Sequence, residues 1–542
     1  MAANFNFRAL LQAHHGAAAV FRFLVGRGGS PRRGGTWDVH GGLGQPALPA
    51  AVTRYAPLLL VLLLVGAGAW ADAPARPNII FFMIDDCSTH EFGCYGAPGN
   101  PTPNMDRLAA TGLRFTSAWA TPLCMPTRML VLTGQYAFQN GVYDNNLADW
   151  PKNERLLART TTLGKALQQR GYRTMQVGKW HLPGYPWDAA WGFDEQWLYG
   201  SLGPMKPEWA ARYRGKWWQW SNANVLVDTQ QKWHSPLATW QPMILHNGEY
   251  VETTETDFGP ELMFAGVREF LERQARMRQP FFIYYAEHLT HTPWTEMRDP
   301  VTGGKTKPGI VENVQYTDHL LGRLEAELKR LGLWDNTVLV IGADNPTQGL
   351  GKARATAIGA HVPLIVAGGA KYVTWSGVTD CLMDYSDLYP TFLDLAGGNP
   401  AVFPDLNGRS FRPLLAGERE YSRPWIFSYL GPYRMIRNRD WCLDGANRLW
   451  RCPAGSDPFQ FALVARAEET EAARQGRRAL EAVLATLPAP VSLLEKNPQL
   501  KQAYEKNLAG EINGPVLFAD RQYAAGIRRL MAQPCRLTYH CD

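Results

Sequence analysis

Two short polar segments of the chain stand directly after apolar runs. Asp85-Asp86 follows the run at residues 78–84, and Asp344-Asn345 follows a second run that begins at residue 337. Either pair alone is more often a turn or a helix cap. Together they offer carboxylate and amide oxygens without any nearby Cys or His at zinc spacing, which favours a hard divalent cation, Ca²⁺ or Mg²⁺. The two pairs therefore predict an oxygen-rich metal site.

Between these pairs lies a segment that could hold a nucleophile. Residues 121–134 read Thr-Pro-Leu-Cys-Met-Pro-Thr-Arg-Met-Leu-Val-Leu-Thr-Gly, a loop that enters a short helix. The first turn of that helix would place Cys124 near free backbone N–H groups, which favours an anion beside the cysteine. The alternative is a disulfide or an inert buried thiol.

Basic side chains follow two further apolar runs. Lys179 and His181 lie two residues apart after one run, so both side chains can face the same side of the chain. His288 and His291 follow another run. A lone histidine is more often structural, and we assign His288, which belongs to no motif, to that class.

The core Cys-x-Pro-x-Arg at residues 124–128, followed by Leu-Thr-Gly, resembles the signature of the type I sulfatases of the alkaline phosphatase superfamily. In that family the cysteine is oxidised to Cα-formylglycine. The resemblance covers residues 76–417. Its further motifs, in the family's order, are Asp85-Asp86, Gly93-Cys94-Tyr95-Gly96, Thr102-Pro103-Asn104-Met105-Asp106-Arg107-Leu108-Ala109, Gly178-Lys179-Trp180-His181-Leu182, Gly192-Phe193-Asp194, Pro280-Phe281-Phe282, Thr290-His291-Thr292-Pro293, Ala343-Asp344-Asn345 and Asp387-Leu388-Tyr389-Pro390-Thr391.

The resemblance implies a metal-dependent hydrolase of sulfate esters. The metal, usually Ca²⁺ with Mg²⁺ or Mn²⁺ as alternatives, would be bound by Asp85, Asp86, Asp344, Asn345 and the modified Cys124. One hydroxyl of the aldehyde hydrate would attack sulfur, and the second would let the enzyme expel sulfate and recover the aldehyde. Asp344 would take the proton of the nucleophile. A formylglycine-generating or equivalent enzyme is then a required partner.

The same resemblance implies roles for five basic residues. Arg128 would hold the hydrate, and Lys179 and His181 would bind the sulfate, with His181 a candidate base for sulfate release. His291 and Lys352 would stabilise or protonate the leaving oxygen.

The sequence departs from the family's pattern at four positions. Thr127 stands where Ser is commoner, which keeps a hydroxyl. Pro346 replaces Gly, and Ala357 and His361 stand where an acidic residue and Arg are usual. These changes predict an altered pocket near Lys352, which itself keeps the expected spacing.

The elements that must position these residues follow an α/β pattern. Polar residues cluster just after strand-like apolar runs, where open α/β sheets bind ligands. We expect a largely parallel sheet covered on both faces. The resemblance implies an alkaline-phosphatase-like α/β/α sandwich at residues 76–417 and a smaller C-terminal subdomain at residues 418–542. The predicted strands are residues 78–84, 173–177, 281–286 and 337–341, the predicted helices are 105–110, 162–170, 260–273 and 314–331, and the subdomain has a short antiparallel sheet at 422–452 before helices at 459–504.

Residues 1–71 are expected to be a leader with a signal peptide. Arg54 precedes an apolar run at residues 58–65, and Ala69-Trp70-Ala71 resembles a cleavage site, which predicts a periplasmic or secreted protein. The Gly/Ala/Arg-rich stretch before Arg54 suggests an over-extended start, for example with the true start at Val52. The alternative is an uncleaved N-terminal anchor, but the run is short for a membrane span, and we expect no stable membrane partner.

The charge of the chain bears on whether it binds nucleic acid, and its cysteine content bears on which disulfides it can form. The chain carries a formal charge of +6, but residues 1–71 hold six arginines and one acid, Asp38, so the remainder is close to neutral. This balance, without a Lys/Arg stripe, argues against nucleic-acid binding. Among eight cysteines, export makes the pairs Cys442/Cys452 and Cys535/Cys541 candidate disulfides.

The substrate is predicted only as a class. Tryptophans are dense between residues 187 and 240, which suits stacking against a sugar or an aryl ring or, equally, filling the core of a subdomain. We therefore expect a sulfated carbohydrate or small molecule. Two alternatives are a phosphonate or phosphate diester hydrolase of the same superfamily and a non-catalytic carbohydrate-binding relic of the fold.

Overall fold

The computed structural model describes residues 76–489 except 98–99, 146–158, 183, 185, 200–237, 293, 349, 419–420 and 453–460, plus the backbone of four strands outside those ranges. These residues belong to one compact unit, Pro74–Asp542.

The strands, β1 to β22 in chain order, are Asn78–Ile84, Leu113–Trp119, Arg173–Gly178, Glu195–Tyr199, Trp217–Trp220, Ala223–Val227, Trp233–Pro236, Ile244–His246, Glu249–Val251, Phe281–Glu287, Glu296–Arg298, Lys305–Pro308, Thr337–Ala343, His361–Gly368, Gly377–Thr379, Met383–Asp384, Ile426–Leu430, Tyr433–Arg437, Trp441–Leu443, Leu449–Arg451, Ala462–Val464 and Thr538–Tyr539. The helices, α1 to α10, are Pro103–Thr111, Cys124–Thr133, Ala137–Asn140, Leu163–Gln168, Gly259–Met277, Ile310–Arg330, Ala357–Ala360, Leu388–Leu395, Arg412–Leu415 and Glu471–Thr486.

The largest sheet of the described chain is mixed, with a parallel centre. Its order is β22-β15-β2-β14-β13-β1-β10-β3-β4-β8-β9, with β16 beside β2. The five strands from β13 to β4 run parallel, whereas β14 and β8 join the two sides antiparallel. The predicted α/β class and parallel core are confirmed.

Helices cover both faces of the sheet. Successive side chains of the central strands point to opposite faces, so the apolar side chains on each face need a layer of helices to pack against. Phe281 packs against Phe270 of α5, whereas its neighbour Phe282 packs against Phe392 of α8. Strands β1, β10 and β13 are buried along their whole length. This explains why they read as continuous apolar runs instead of alternating ones.

The C-terminal region contains the predicted antiparallel sheet, which is larger than expected. Strands β17 to β21 pair in sequence order as a five-stranded antiparallel meander, and α10 packs against β18 and β19. The prediction of helix from residue 459 is wrong at β21, because these three residues complete the sheet by pairing with β20. The boundary between residues 417 and 418 stays a prediction.

The proposed disulfide between Cys442 and Cys452 is wrong, since both are free thiols. Cys442 lies opposite Trp450 in the antiparallel pair, so Cys452 is its diagonal neighbour. Diagonal Cα atoms are roughly 7–8 Å apart, beyond the usual reach of a disulfide. Cys381 is disulfide-bonded. The Cys535/Cys541 prediction falls outside the described residues.

The leader and signal-peptide predictions for residues 1–71 also fall outside the described residues. None of the described helices combines the length and apolar character that a membrane crossing requires.

Candidate active site

The carboxyl ends of three adjacent parallel strands bring the predicted polar segments together. Strand β1 lies between β13 and β10, with Ile84 in register with Ala343 on one side and Glu287 on the other. The residues that follow each strand therefore emerge at one edge of the sheet. This is the edge at which we predicted the chemistry.

Cys124 is the first residue of α2 and is 1% exposed. The preceding Leu123 is extended, and the Met125 backbone N–H of the first turn donates to Asn145 Oδ1 at 3.0 Å. The Cys124 Sγ lies 3.5 Å from Asp85 Oδ1 and 3.6 Å from Asp86 Oδ1. Burial, followed by the charge of Asp344, raises the pKa of this thiol well above its usual value. An unmodified cysteine here is therefore protonated and a poor nucleophile.

Two lysines face the same cluster. Lys179 Nζ lies 2.6 Å from Asp85 Oδ2 and 3.7 Å from the Cys124 Sγ, and Lys352 Nζ lies 2.6 Å from Asp86 Oδ2. Burial opposes ionisation of Asp85, but the charges of Lys179 and Arg128 outweigh it and lower the pKa of Asp85. The ammonium groups give the cluster the cationic side that an anionic ester needs.

Arg128 connects the Cys124 helix to the second acidic segment. Its Nε and one terminal nitrogen donate to Asp344 Oδ2 at 3.0 and 2.7 Å, and its other terminal nitrogen donates to the Lys179 carbonyl oxygen at 2.8 Å. The side chain is fully buried. Because a buried guanidinium requires such partners, the position is fixed by the cluster and is not that of a surface arginine.

The tautomer of His291 follows from its two contacts. Nδ1 lies 2.5 Å from the Thr292 carbonyl oxygen, which can only accept, and Nε2 lies 3.2 Å from Lys352 Nζ, whose ammonium can only donate. Burial, followed by the charges of Lys179 and Lys352, holds the pKa of His291 well below its usual value. The ring is therefore neutral, with its Nε2 lone pair facing the lysine.

His288, which we assigned to a structural role, lies in the same cluster. Its Nδ1 is 3.7 Å from Asp85 Oδ2, and its ring stacks on His291 with centroids 5.4 Å apart. Burial is the main cause that lowers the pKa of His288 to about 3. The spacing of two histidines three residues apart after a strand was a usable signal, but only the fold shows that both rings point inward.

The donor atoms fit a divalent cation. One ligand atom each from Asp85, Asp86, Cys124 and His291 lie within 4.8 Å of one another. Asn345 donates through Nδ2 to Asp86 Oδ1 at 2.8 Å, while its buried Oδ1 has no hydrogen-bond partner among the described residues. An unpaired buried acceptor beside two carboxylates is the arrangement expected where an ion completes the site. His291 was not predicted as a ligand.

Two predicted residues stand apart from this donor group. Both oxygens of Asp344 already accept hydrogen bonds, Oδ1 from the Asp86 N–H at 3.1 Å and Oδ2 from Arg128. His181 lies two residues beyond Lys179, half-buried, with a left-handed backbone φ of 53°. A ligand role for Asp344 and a base role for His181 stay predictions.

The chain matches the sulfatase family over residues 77–398. The chain belongs to the sulfatase family. It is 32% identical over 420 residues to N-acetylgalactosamine-6-sulfatase from Homo sapiens, covering 71% of this chain and 74% of that protein. It is 30% identical over 398 residues to arylsulfatase A from Homo sapiens, covering 68% and 73%. The sulfatase is thus a hydrolase acting on sulfate esters.

A solved structure shares the fold. The crystal structure of Ps i-CgsB in complex with k-i-k-neocarrahexaose superposes with a TM-score of 0.57 at 21% identity, covering 84% of this chain and 98% of that one. At that identity the likeness concerns the architecture alone, which agrees with the alkaline-phosphatase-like sandwich expected from the sequence.

Residues near Lys352 differ from the family's pattern, but Lys352 still contacts the candidate active site through its hydrogen bond to Asp86. Ala357 packs in an apolar cluster beside the C-terminal sheet, and the ring of His361 contacts the Thr116 carbonyl oxygen at 2.9 Å. Thr127 is fully buried, and its hydroxyl lies 2.7 Å from the Thr121 hydroxyl.

The described tryptophans of the segment 187–240 divide between core and surface. Trp191 and Trp240 are buried, and Trp197 stacks on His246 with centroids 4.3 Å apart. Trp187, 36% exposed, is available to solvent. For the described part of the segment, core packing is thus the commoner role.

Proposed function

We propose that this sulfatase hydrolyses sulfate esters of carbohydrates with a Cα-formylglycine formed from Cys124 and a bound divalent cation, Ca²⁺ in preference to Mg²⁺ or Mn²⁺. The observation that carries the proposal is the position of Cys124, whose Sγ lies within 3.7 Å of a carboxylate oxygen of Asp85, one of Asp86 and the ammonium of Lys179. The oxygen-rich donor set supports Ca²⁺.

The modified residue, the cation and the chain's unmodified side chains would each carry out a different part of the reaction. The aldehyde hydrate supplies an oxygen nucleophile, and the cation when bound polarises a sulfate oxygen. Lys179 lies beside both Asp85 and position 124, so it neutralises a sulfate oxygen placed there. Arg128 donates to Asp344 Oδ2 and so fixes the position of the carboxylate that would accept the nucleophile's proton.

His291 and Lys352 form the side of the site where the leaving alcohol would depart. Lys352 carries the proton and His291 Nε2 accepts from it at 3.2 Å. The pair can therefore deliver a proton to the ester oxygen while the imidazole stays neutral in the resting enzyme. Loss of the Lys352 charge would therefore lower kcat more for a sulfate ester with a poor leaving group, such as a sugar alkoxide, than for an ester with an aryl oxide leaving group.

Mass spectrometry of the peptide spanning residues 123–128 tests the modification. In protein from the native host we expect loss of sulfur and gain of a carbonyl at position 124. The same peptide from a host without a formylglycine-generating or equivalent enzyme should retain the thiol. A thiol in native, active protein would contradict the proposal, and a thiol in inactive native protein would favour the non-catalytic relic.

A substrate panel tests the ester class. The names of the relatives at about 30% identity, an N-acetylgalactosamine-6-sulfatase and an arylsulfatase, support sulfated sugars and aryl sulfates. We expect a higher kcat/KM for a 6-sulfated N-acetylhexosamine than for an aryl sulfate, although the aryl oxide is the better leaving group. A preference of about tenfold or more for a phenylphosphonate ester would instead support the phosphonate hydrolase alternative.

We also propose export to the periplasm or medium. The support is the Arg54 flank, the apolar run at residues 58–65 and the small-residue ending before Asp72. N-terminal sequencing of the mature protein should begin at Asp72. Retention of residues 58–65 in a membrane fraction would support the anchor alternative.

A further inference from the structure

Two loops must be held at a fixed separation for the donor atoms to converge. One carries Asp85-Asp86 after β1, and the other carries Asp344-Asn345 after β13. The strands are paired in register only as far as Ile84 and Ala343. Beyond that point the spacing of the loops depends on contacts outside the sheet, whereas metal binding tolerates errors of only about 0.2 Å in ligand distance.

The two loops exchange reciprocal hydrogen bonds just behind the donor residues. The Ser88 N–H donates to Thr347 Oγ1 at 2.9 Å, and the Thr347 N–H donates to Ser88 Oγ at 3.0 Å. The Cys87 N–H also donates to the Asn345 carbonyl oxygen at 2.9 Å. Ser88 and Thr347 are 3% and 2% exposed, so water cannot easily replace these bonds.

A buried carboxylate fixes the direction of this exchange. Thr347 Oγ1 lies 3.0 Å from Glu91 Oε1, which can accept its proton, and Glu91 Oε2 accepts from Asn100 Nδ2 at 3.2 Å. Because the Thr347 proton is committed to Glu91, its oxygen lone pairs remain for the Ser88 N–H.

We infer that Ser88, Thr347 and Glu91 form a loop clamp, a set of positioning residues that sets the separation of the two donor-bearing loops and so the affinity for the cation. The inference rests on the metal site proposed above. No member of the clamp belongs to the donor group, so its effect passes through the loops. Pro346, next to Thr347, supports the same role because its ring fixes one backbone torsion of the second loop.

The loop clamp predicts a specific loss in Thr347→Val, which keeps the side-chain shape but removes the hydroxyl. In calorimetric titration of chelator-stripped protein with Ca²⁺, we expect the Kd to rise about tenfold or more. Thr347→Ser restores the hydroxyl and should return the Kd to within about twofold to threefold of the wild-type value. Ser88→Ala, which removes the acceptor for the Thr347 N–H, is the second variant if Thr347→Val does not fold.

Thr391→Val is the matched control. The Thr391 hydroxyl is equally buried, donates to the Asp387 carbonyl oxygen at 2.7 Å and accepts from the Phe411 N–H at 3.0 Å. We expect this variant to lower the Tm without changing the Kd for Ca²⁺. An unchanged Kd in folded Thr347→Val or Ser88→Ala, with the wild type binding Ca²⁺, would overturn the loop clamp alone. A wild-type protein that binds no divalent cation would overturn the proposed metal site and the clamp with it.

Discussion

Two clusters of buried charged side chains in the described part of the chain differ in how completely they are bonded. The first is the candidate active site. The second, here the junction cluster, consists of Asp384, Asp387, Arg423, Tyr136 and Tyr421 and joins the large sheet to the C-terminal sheet. In it, Arg423 pairs with Asp384 at 2.7 Å and also with Asp387.

Every carboxylate oxygen of the junction cluster has partners. Asp384 Oδ2 accepts from Tyr136 at 2.8 Å and from the Phe427 N–H at 3.0 Å, and Asp387 Oδ2 accepts from Tyr421 at 3.0 Å. In the active site, by contrast, the Asn345 Oδ1 is buried without a partner in the described chain, beside a reactive side chain. Buried charge alone therefore does not mark a site; unsatisfied acceptors next to a potential nucleophile do.

Cys124→Ala should give the largest contrast between the two regions. We expect kcat/KM for sulfate esters to fall by at least about 10⁴-fold, since the substitution removes the atom from which the nucleophile is made. Cys442→Ala, which removes another buried thiol in the C-terminal sheet, should leave kcat/KM unchanged. Activity of Cys124→Ala within tenfold of wild type would show that the nucleophile lies elsewhere.

Asp344→Asn tests the active site at nearly constant side-chain volume. The substitution removes the charge that Arg128 contacts and the proposed proton acceptor, so we expect kcat to fall by about 10²–10⁴-fold. Circular dichroism should show a folded protein. The matched variant Asp384→Asn should lower the Tm while the folded enzyme keeps its kcat. The reverse pattern would invalidate the distinction between the clusters.

Arg423→Met tests the junction cluster from its cationic side. It leaves two buried carboxylates without their guanidinium partner, and we expect the free energy of unfolding to fall by about 3–5 kcal/mol. Urea denaturation measures this loss, and assays at low temperature should show kcat near the wild-type value. A loss of kcat in fully folded Arg423→Met would mean that the junction cluster also acts on the active site.

Glu287 belongs to neither cluster and should show the smallest effect. Burial raises its pKa from 4.5 to about 7, although Oε1 accepts from the His288 and Leu289 N–H groups. The folded state therefore holds the proton more tightly than the unfolded state. The associated stability is present below about pH 4.5 and is lost as pH rises to about 7, up to about 3 kcal/mol.

Glu287→Gln removes this titration while keeping the acceptor oxygen. In urea denaturation of metal-free protein across that pH range, the variant should gain stability relative to wild type as pH rises. Parallel pH profiles for the two proteins would show that Glu287 is ionised at neutral pH in the folded state.

The central strands were predictable because their burial makes them continuous apolar runs. The proximity of Asp85-Asp86 to Asp344-Asn345 could be predicted because parallel strands end at one edge of the sheet. The position of Cys124 could be predicted from its motif. Strands β2 and β14 were not predicted. Strand β14 pairs antiparallel with β13 at the side of the parallel core, and β2 pairs antiparallel with β14. Local sequence does not encode these pairings.

The predictions were weakest where a residue's role depends on distant partners. His288 was assigned to a structural role, and the loop clamp was not foreseen, because Ser88 and Thr347 are 259 residues apart in the chain. The Cys442/Cys452 pairing was wrong because closeness in sequence does not give strand register. In each case the missing information was which residues the fold brings opposite each other.

Helix α2 has ten residues, and all ten are buried. A modifying enzyme could not reach the buried side chain at position 124 in the folded protein. If Cys124 is oxidised as proposed, oxidation has to precede closure of the chain. The active fraction of any preparation would then depend on the rate of Cys124 oxidation relative to the rate of folding. Protein that folds with its thiol intact would stay inactive.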